Sequence, residues 1–188
     1  MSPQQLVKSE KVDNRAGLHY PARPSLQQYL VGIGRIVFGI CWAVAAWLKW
    51  QPAFIRSFMD TVGGAMNGQP AVVKLWIGTW VGIVHVNPTF FAIAGASIET
   101  ALALCFLLGA FTNTASVIGI CWSLIIWSVP NGFGGPYIMG QSTDIGTAFP
   151  YAIICLLLLA VSSGRYLGLD TILTARLGRW SFLATGFR

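Results

Sequence analysis

Apolar positions fall along this chain in long, nearly unbroken runs, set apart by short polar or glycine- and proline-bearing stretches. They do not alternate as in a half-buried strand, so the chain reads as helical. The first run, Tyr29–Trp50 (YLVGIGRIVFGICWAVAAWLKW), reaches about 33 Å at helical rise, enough to cross a bilayer core. The second is Thr89–Phe111, crowded in its first half with Ala92, Ala94, Gly95, Ala96 and Ser97, which predicts close backbone approach to another helix. The third is Ala115–Val129 and the fourth Ala148–Ser162. The uncharged Thr112-Asn113-Thr114 reads as a tight turn that makes the second and third runs a helical hairpin.

The segments between the runs carry weaker patterns. Residues 51–70 predict an amphipathic surface helix. Phe54, Ile55, Phe58, Met59 and Val62 form its apolar stripe, and Asn67-Gly68-Gln69-Pro70 stops it. Residues 71–86 are short for a span and include Lys74 and His85, so they read as an interfacial or re-entrant helix rather than a fifth crossing. Residues 130–147 (PNGFGGPYIMGQSTDIGT) form the loop richest in glycine. Residues 164–188 predict a basic amphipathic helix capped by Asp170, with Ile172, Leu173, Leu177 and Trp180 toward the membrane. Ahead of everything lies a polar tail in which Pro21 and Pro24 break any helix and Ser25 caps the entry to the first run. That tail is too long and polar for a cleavable signal, so the first run reads as a retained anchor.

The expected fold class is therefore an all-α membrane protein, a four-transmembrane-helix bundle with amphipathic interfacial helices. It divides into a cytoplasmic tail (1–28), a membrane domain (29–163) and a basic C-terminal tail (164–188). Composition agrees: of 188 residues, 55% are hydrophobic and only 10% charged. The net charge of +6 does not point to nucleic acid, because the basic residues gather in the two tails instead of forming one patch interleaved with aromatics. Basic tails at both ends place both termini on the cytoplasmic side of the inner membrane, which requires an even number of crossings. Residues 51–88 and 130–147 then face outward.

Candidate chemistry is sparse. The four cysteines each fall in a different apolar run with no CxxC, and read as packing residues. His19 and His85 lie outside the interior of any run, which excludes a bis-histidine haem in the membrane and a Cys/His zinc site. No flavin motif or iron–sulfur cysteine pattern stands out. Arg35 lies about 9 Å inside the first run, where a charge needs a partner. Glu99 lies near the middle of the second. Counting depth from the ends of antiparallel runs puts the two within an arginine's reach, so an Arg35–Glu99 pair is expected, either as a register-fixing device or as the donors and proton acceptor of a quinone head-group site. Lys49, flanked by Trp47 and Trp50, is placed to snorkel to the headgroups. In the outer loop the glycines would let backbone N–H groups approach an anion or a partner, or simply allow a tight loop over the bundle mouth. Asp144 there calls for Lys49 or Arg56 as partner.

Four stretches, taken in order, resemble the DoxX/DoxD family: GRIVFGICWAVAAWLKWQPAF, ASIETALALCFLLGAFTNTA, GGPYIMGQSTDIG and GRYLGLD. The loop resembles the DoxD branch, the small membrane subunit of thiosulfate:quinone oxidoreductase. The resemblance covers about residues 28–171. It implies a four-helix membrane subunit that works with a DoxA-like or other membrane-complex partner, oxidising thiosulfate and passing electrons to quinone. Arg35, Lys49, Glu99 and Asp144 are the charged positions matching the shared motifs. On this reading Arg35 and Glu99 are the catalytic candidates beside the quinone. Lys49, Arg56, Tyr137 and Asp144 are the substrate-binding candidates at the outer face. The alternative is a non-catalytic accessory subunit of a larger respiratory or photosynthetic membrane complex, which eight tryptophans and the lack of a redox centre would suit. A small-solute transporter is disfavoured by the missing inverted repeat.

Overall fold

A computed structural model describes residues 25–138 and 144–185, and every structural statement below concerns these. The expected helix break at Pro21 and Pro24, and Gly140, Ser142, Thr143 and Arg188, lie outside them. The described chain is all-helical. Its helices are α1 (Leu26–Lys49), α2 (Pro52–Gly64), α3 (Ala71–His85), α4 (Pro88–Leu108), α5 (Thr112–Ser128), α6 (Ala148–Ala160), α7 (Asp170–Leu177) and α8 (Phe182–Thr185). Short 3-10 turns intervene at Gly132–Gly134, Ser163–Arg165 and Gly178–Trp180. Two helices, α1 and α4, are long and apolar enough to cross a membrane.

Local sequence sets most of the boundaries. Ser25 caps α1 in a capping box with Gln28, satisfying two backbone donors at once. Asn87 caps α4 by accepting from Phe90 N at 3.0 Å, with Pro88 in the first turn. Gly109, at φ +62°, ends α4 in the left-handed conformation that a glycine adopts without strain. The chain then reverses over Gly109–Phe111. Thr112-Asn113-Thr114 is thus the first turn of α5 and not the connection expected there.

Helices α1 and α4 pack along each other antiparallel, as do α5 and α6. The α4 face turned inward is Ala92, Gly95, Ala96, Glu99, Leu102, Ala103 and Phe106, a three–four stripe whose small members let neighbours come close. On α1, a Cβ at Gly39 would sit 2.9 Å from the backbone nitrogen of Leu107, so the two backbones nearly touch. Between the pairs, Phe38, Trp42, Phe106 and Tyr151 form an aromatic cluster with ring centroids 5.1–6.0 Å apart.

The register of α1 on α4 is the decisive feature. Trp50 Nε1 donates to Thr100 Oγ1 at 3.0 Å, and Lys49 reaches Glu99. The end of α1 is therefore level with the middle of α4, and the start of α4 lies about 16 Å beyond the end of α1. This overhang packs on α2 and α3, which fold back as a hairpin. Here α3 buries Ile77 and Val84 and leaves Val72, Leu75, Trp76 and Ile83 exposed.

The C-terminal segment also departs from expectation. The helix from Asp170 stops at Leu177, because Gly178 (φ +51°, ψ −114°) turns the chain back. In α8, Ala184 and Thr185 are buried. Leu183 O and Phe182 O accept from Thr114 Oγ1 and Asn113 Nδ2 at the start of α5. Ile172 and Trp180 stay exposed, whereas Leu173 and Leu177 are half-buried, so the four do not form one uniform face.

Candidate functional site

Lys49 and Glu99 form the ion pair of the described residues. Lys49 Nζ donates to both carboxylate oxygens of Glu99, at 2.7 and 2.8 Å. Trp122 Nε1 from α5 donates to Glu99 Oε1 at 3.2 Å. Three helices thus converge on one carboxylate whose side chain is 1% exposed, against 24% for Lys49. The lysine ammonium also lies 5.9 Å from the centroid of the Phe54 ring on α2. Helix α1 carries Lys49 in its last turn, which is where the helix dipole favours a cation.

The expected Arg35–Glu99 pair is not formed. Arg35 lies about 21 Å along α1 from Lys49 and faces the opposite end of the bundle. There it is fully buried, donating to Leu167 O at 2.8 Å and Ser163 O at 3.4 Å. The reason is the overhang of α4: depth counted from its first residue overstates how far Glu99 lies inside α1.

At that opposite end Asp170 is fully buried, and it does not cap its own helix. Its carboxylate accepts from Phe111 N at 2.6 Å, Thr112 N at 2.9 Å and the Thr112 hydroxyl at 2.5 Å. It therefore caps α5 from a distant part of the chain, supplying the acceptor that Phe111, at the N-cap, lacks. Burial pushes the Asp170 carboxyl above its ordinary range, while the hydrogen bonds from Thr112 and Phe111 and the charge of Arg35 pull the other way. The cluster ties the GRYLGLD stretch to α1 and α5. Arg35 is one of its members, held by Leu167 O and Ser163 O.

The outer-face candidates are not brought together. Arg56 is exposed on α2. Tyr137 Oη donates to Phe133 O at 2.6 Å, and Asp144 accepts from Gly146 N at 2.7 Å, each within its own loop. Lys49 is engaged with Glu99, so Asp144 does not have it as partner. The loop glycines serve chain crossing: a Cβ at Gly134 (φ +81°) would lie 2.1 Å from Ile145 O. Gln69 Nε2, in the turn between α2 and α3, donates to Gly132 O at 3.0 Å, and Trp127 Nε1 to Ile145 O at 2.7 Å, which hold the loop against the bundle.

The ion pair borders a cavity of about 150 Å³, walled by Trp42, Lys49, Glu99, Ser123, Thr147 and Tyr151 among others. Trp42 is 2% and Ser123 0% exposed, and neither Trp42 Nε1 nor Ser123 Oγ has a hydrogen-bond partner. Buried polar groups left without partners cost free energy, and two of them belong to side chains that line this cavity. A second, larger cavity of about 290 Å³ is walled mainly by apolar and aromatic side chains of α2, α3, α4 and α5, Trp122 among them.

Sequence reading found Lys49 and Glu99 but missed Trp42, Trp122, Ser123 and Tyr151. A hydroxyl and an indole at adjacent positions inside the apolar run of α5 were the available signal. No protein-family model matches this chain, and no curated protein or solved structure matches it.

Proposed function

We propose that this chain is a multi-pass subunit of the cytoplasmic membrane that binds a quinone ring beside the Lys49–Glu99 pair, as the membrane part of a quinone-linked oxidoreductase. The observation that carries the reading is a ring-sized cavity whose lining side chains include an ion pair and two buried donors without a partner. A cavity of about this volume admits a benzene ring. Trp42 Nε1 and Ser123 Oγ are donors for carbonyl oxygens. Reduction of a quinone to the quinol takes up two electrons and two protons; the Lys49 ammonium is a proton donor at this wall, and the Glu99 carboxylate is a proton acceptor through which protons drawn from water are relayed. The electrons come from a partner subunit.

Exposure on the helix surfaces suits α5 and α6 as further crossings. Besides α1 and α4, helix α5 exposes Val117, Ile118, Leu124 and Ile125, and α6 exposes Ile153, Ile154, Leu156 and Leu157. Such outward apolar faces suit lipid. Helices α5 and α6 are short for the full thickness, at 17 and 13 residues, and local thinning of the bilayer accommodates that. With four crossings the basic tails lie together on the cytoplasmic side.

Thiosulfate as electron donor rests on the DoxX/DoxD resemblance alone. Glu99 neutralises Lys49, and Arg56, Tyr137 and Asp144 stand apart, so we assign thiosulfate binding to a DoxA-like partner rather than to this chain. The test is gentle purification from native membranes followed by an assay of thiosulfate-dependent quinone reduction. Glu99→Gln is expected to abolish activity that Arg179→Gln retains. Equal activity in Glu99→Gln and the parent sinks the reading.

The accessory-subunit reading draws on four exposed tryptophans, Trp47, Trp50, Trp76 and Trp180, suited to protein and headgroup contacts. Copurification with a large complex whose activity survives removal of this chain would favour it.

A further inference from the structure

The end of the bundle where α5 begins and α6 stops carries an open polar pocket of about 260 Å³, lined by Arg165, Thr171, Thr174 and Thr185. Arg165 stands in the 3-10 turn that follows α6, Thr171 and Thr174 lie three residues apart on α7, and Thr185 ends α8. One edge of the Arg165 guanidinium is fixed: Nε and Nη2 donate to Thr185 O at 3.2 and 3.0 Å. Its Nη1 donates to no described residue, so those protons are left over. Thr185 is 4% exposed, and its Oγ1 lies 3.3 Å from Thr174 Oγ1. Thr174 already gives its proton to Asp170 O, so the proton shared between the two hydroxyls is that of Thr185, which can turn to a stronger acceptor. Thr171 donates to Gly168 O at 2.8 Å and serves as the rim.

We propose that this pocket binds the phosphate of an anionic phospholipid headgroup, with Arg165 Nη1 and the Thr185 hydroxyl donating to its oxygens. A guanidinium held along one edge keeps its planar fork aimed, and phosphate oxygens match that fork. The local charge is unanswered. Residues 163–185 hold Arg165, Arg176 and Arg179 against one acid, Asp170, which is fully buried and bonded to Phe111 and Thr112. The same strip exposes Leu167, Leu169 and Ile172. A dissolved phosphate ion gains nothing from such neighbours, whereas a lipid lays the first carbons of its chains against them, which favours the lipid as source. The level of the pocket agrees. It lies past the last turn of α6 and beside the first turn of α5, where Thr114 Oγ1 donates to Leu183 O. That is headgroup level, on the side of the basic tails. This inference rests on the membrane reading above and is independent of the quinone.

The test uses the full chain in detergent micelles, titrated with phosphatidylglycerol or phosphatidylcholine, with lipid-bound and lipid-free protein counted by native mass spectrometry. The parent is expected to hold phosphatidylglycerol about tenfold more tightly than phosphatidylcholine. Arg165→Gln is expected to lose about tenfold in affinity for phosphatidylglycerol, and Arg179→Gln, which removes one charge outside the pocket, no more than about threefold. Because Arg165 also anchors α8, Thr171→Glu is the second variant. It leaves the Arg165–Thr185 bonds in place, sets a carboxylate at the exposed rim, and is expected to abolish the preference for phosphatidylglycerol. Equal retention of both lipids by the parent, equal losses in Arg165→Gln and Arg179→Gln, or an undiminished preference in Thr171→Glu overturns the site. Displacement of phosphatidylglycerol by inorganic phosphate at matching concentration overturns the lipid as its ligand. A parent that stays dissolved without detergent or lipid fails the membrane reading instead.

Discussion

The antiparallel register makes Lys49 and Glu99 a coupled pair and leaves Arg35 out of it, and a double-mutant cycle measures this directly. Removing one partner of a fully buried ion pair costs about 3–5 kcal/mol, because a charge is left without compensation. Lys49→Met strands Glu99 at 1% exposure, with only Trp122 Nε1 still donating, so the full range applies. Glu99→Gln strands an ammonium that is 24% exposed and can turn toward water or headgroups, which lowers the cost to about 2–3 kcal/mol. The double variant removes both charges, and its loss is expected to fall short of the sum by about 2 kcal/mol. For Arg35→Met and Glu99→Gln the two sites share no partner and lie far apart along the bundle, so their losses are expected to add within about 0.5 kcal/mol. Unfolding of the six proteins in mixed detergent, followed by circular dichroism, supplies the free energies. An Arg35–Glu99 coupling larger than that of Lys49–Glu99 would refute the register and with it the assembly of the cavity.

Three other perturbations probe separate parts of the molecule. Asp170→Ala removes the acceptor of Phe111 N, Thr112 N and the Thr112 hydroxyl, and should destabilise the chain by at least about 2 kcal/mol in the same unfolding assay, with Asp170→Asn recovering part. At Gly119 a Cβ would lie 2.6 Å from Cys155 Sγ, so Gly119→Ala should cost about 1–3 kcal/mol, and adding Cys155→Ala should restore stability if α5 and α6 meet there. Ser123→Ala loses no hydrogen bond in the free protein and should leave stability within about 0.5 kcal/mol, yet weaken binding of a simple benzoquinone about three- to tenfold, read by tryptophan quenching.

The sequence by itself determined the helices. Runs of apolar residues and the Ser25 cap are local signals, and the folded chain obeys them within a few residues, ending α4 at Gly109 where the apolar run alone carried it to Phe111. It also identified Arg35 and Glu99 as charges that need partners, since an ionisable group in an apolar run demands one wherever it ends up, while it sent Lys49 to the headgroups. Who pairs with whom was decided only by tertiary structure. Depth counted along each helix assumes that helices begin flush, but the close contact of Gly39 with Leu107 sets α4 about 16 Å out of step with α1. That one offset moves Glu99 from Arg35 to Lys49 and creates the overhang that the α2–α3 hairpin must cover. Asp170 shows the same limit: its position at a helix start is visible in sequence, whereas its use by α5 depends on where a segment 58 residues away comes to rest. Trp42 and Ser123 were invisible for the complementary reason. A donor is only conspicuous once the packing around it leaves it with no partner.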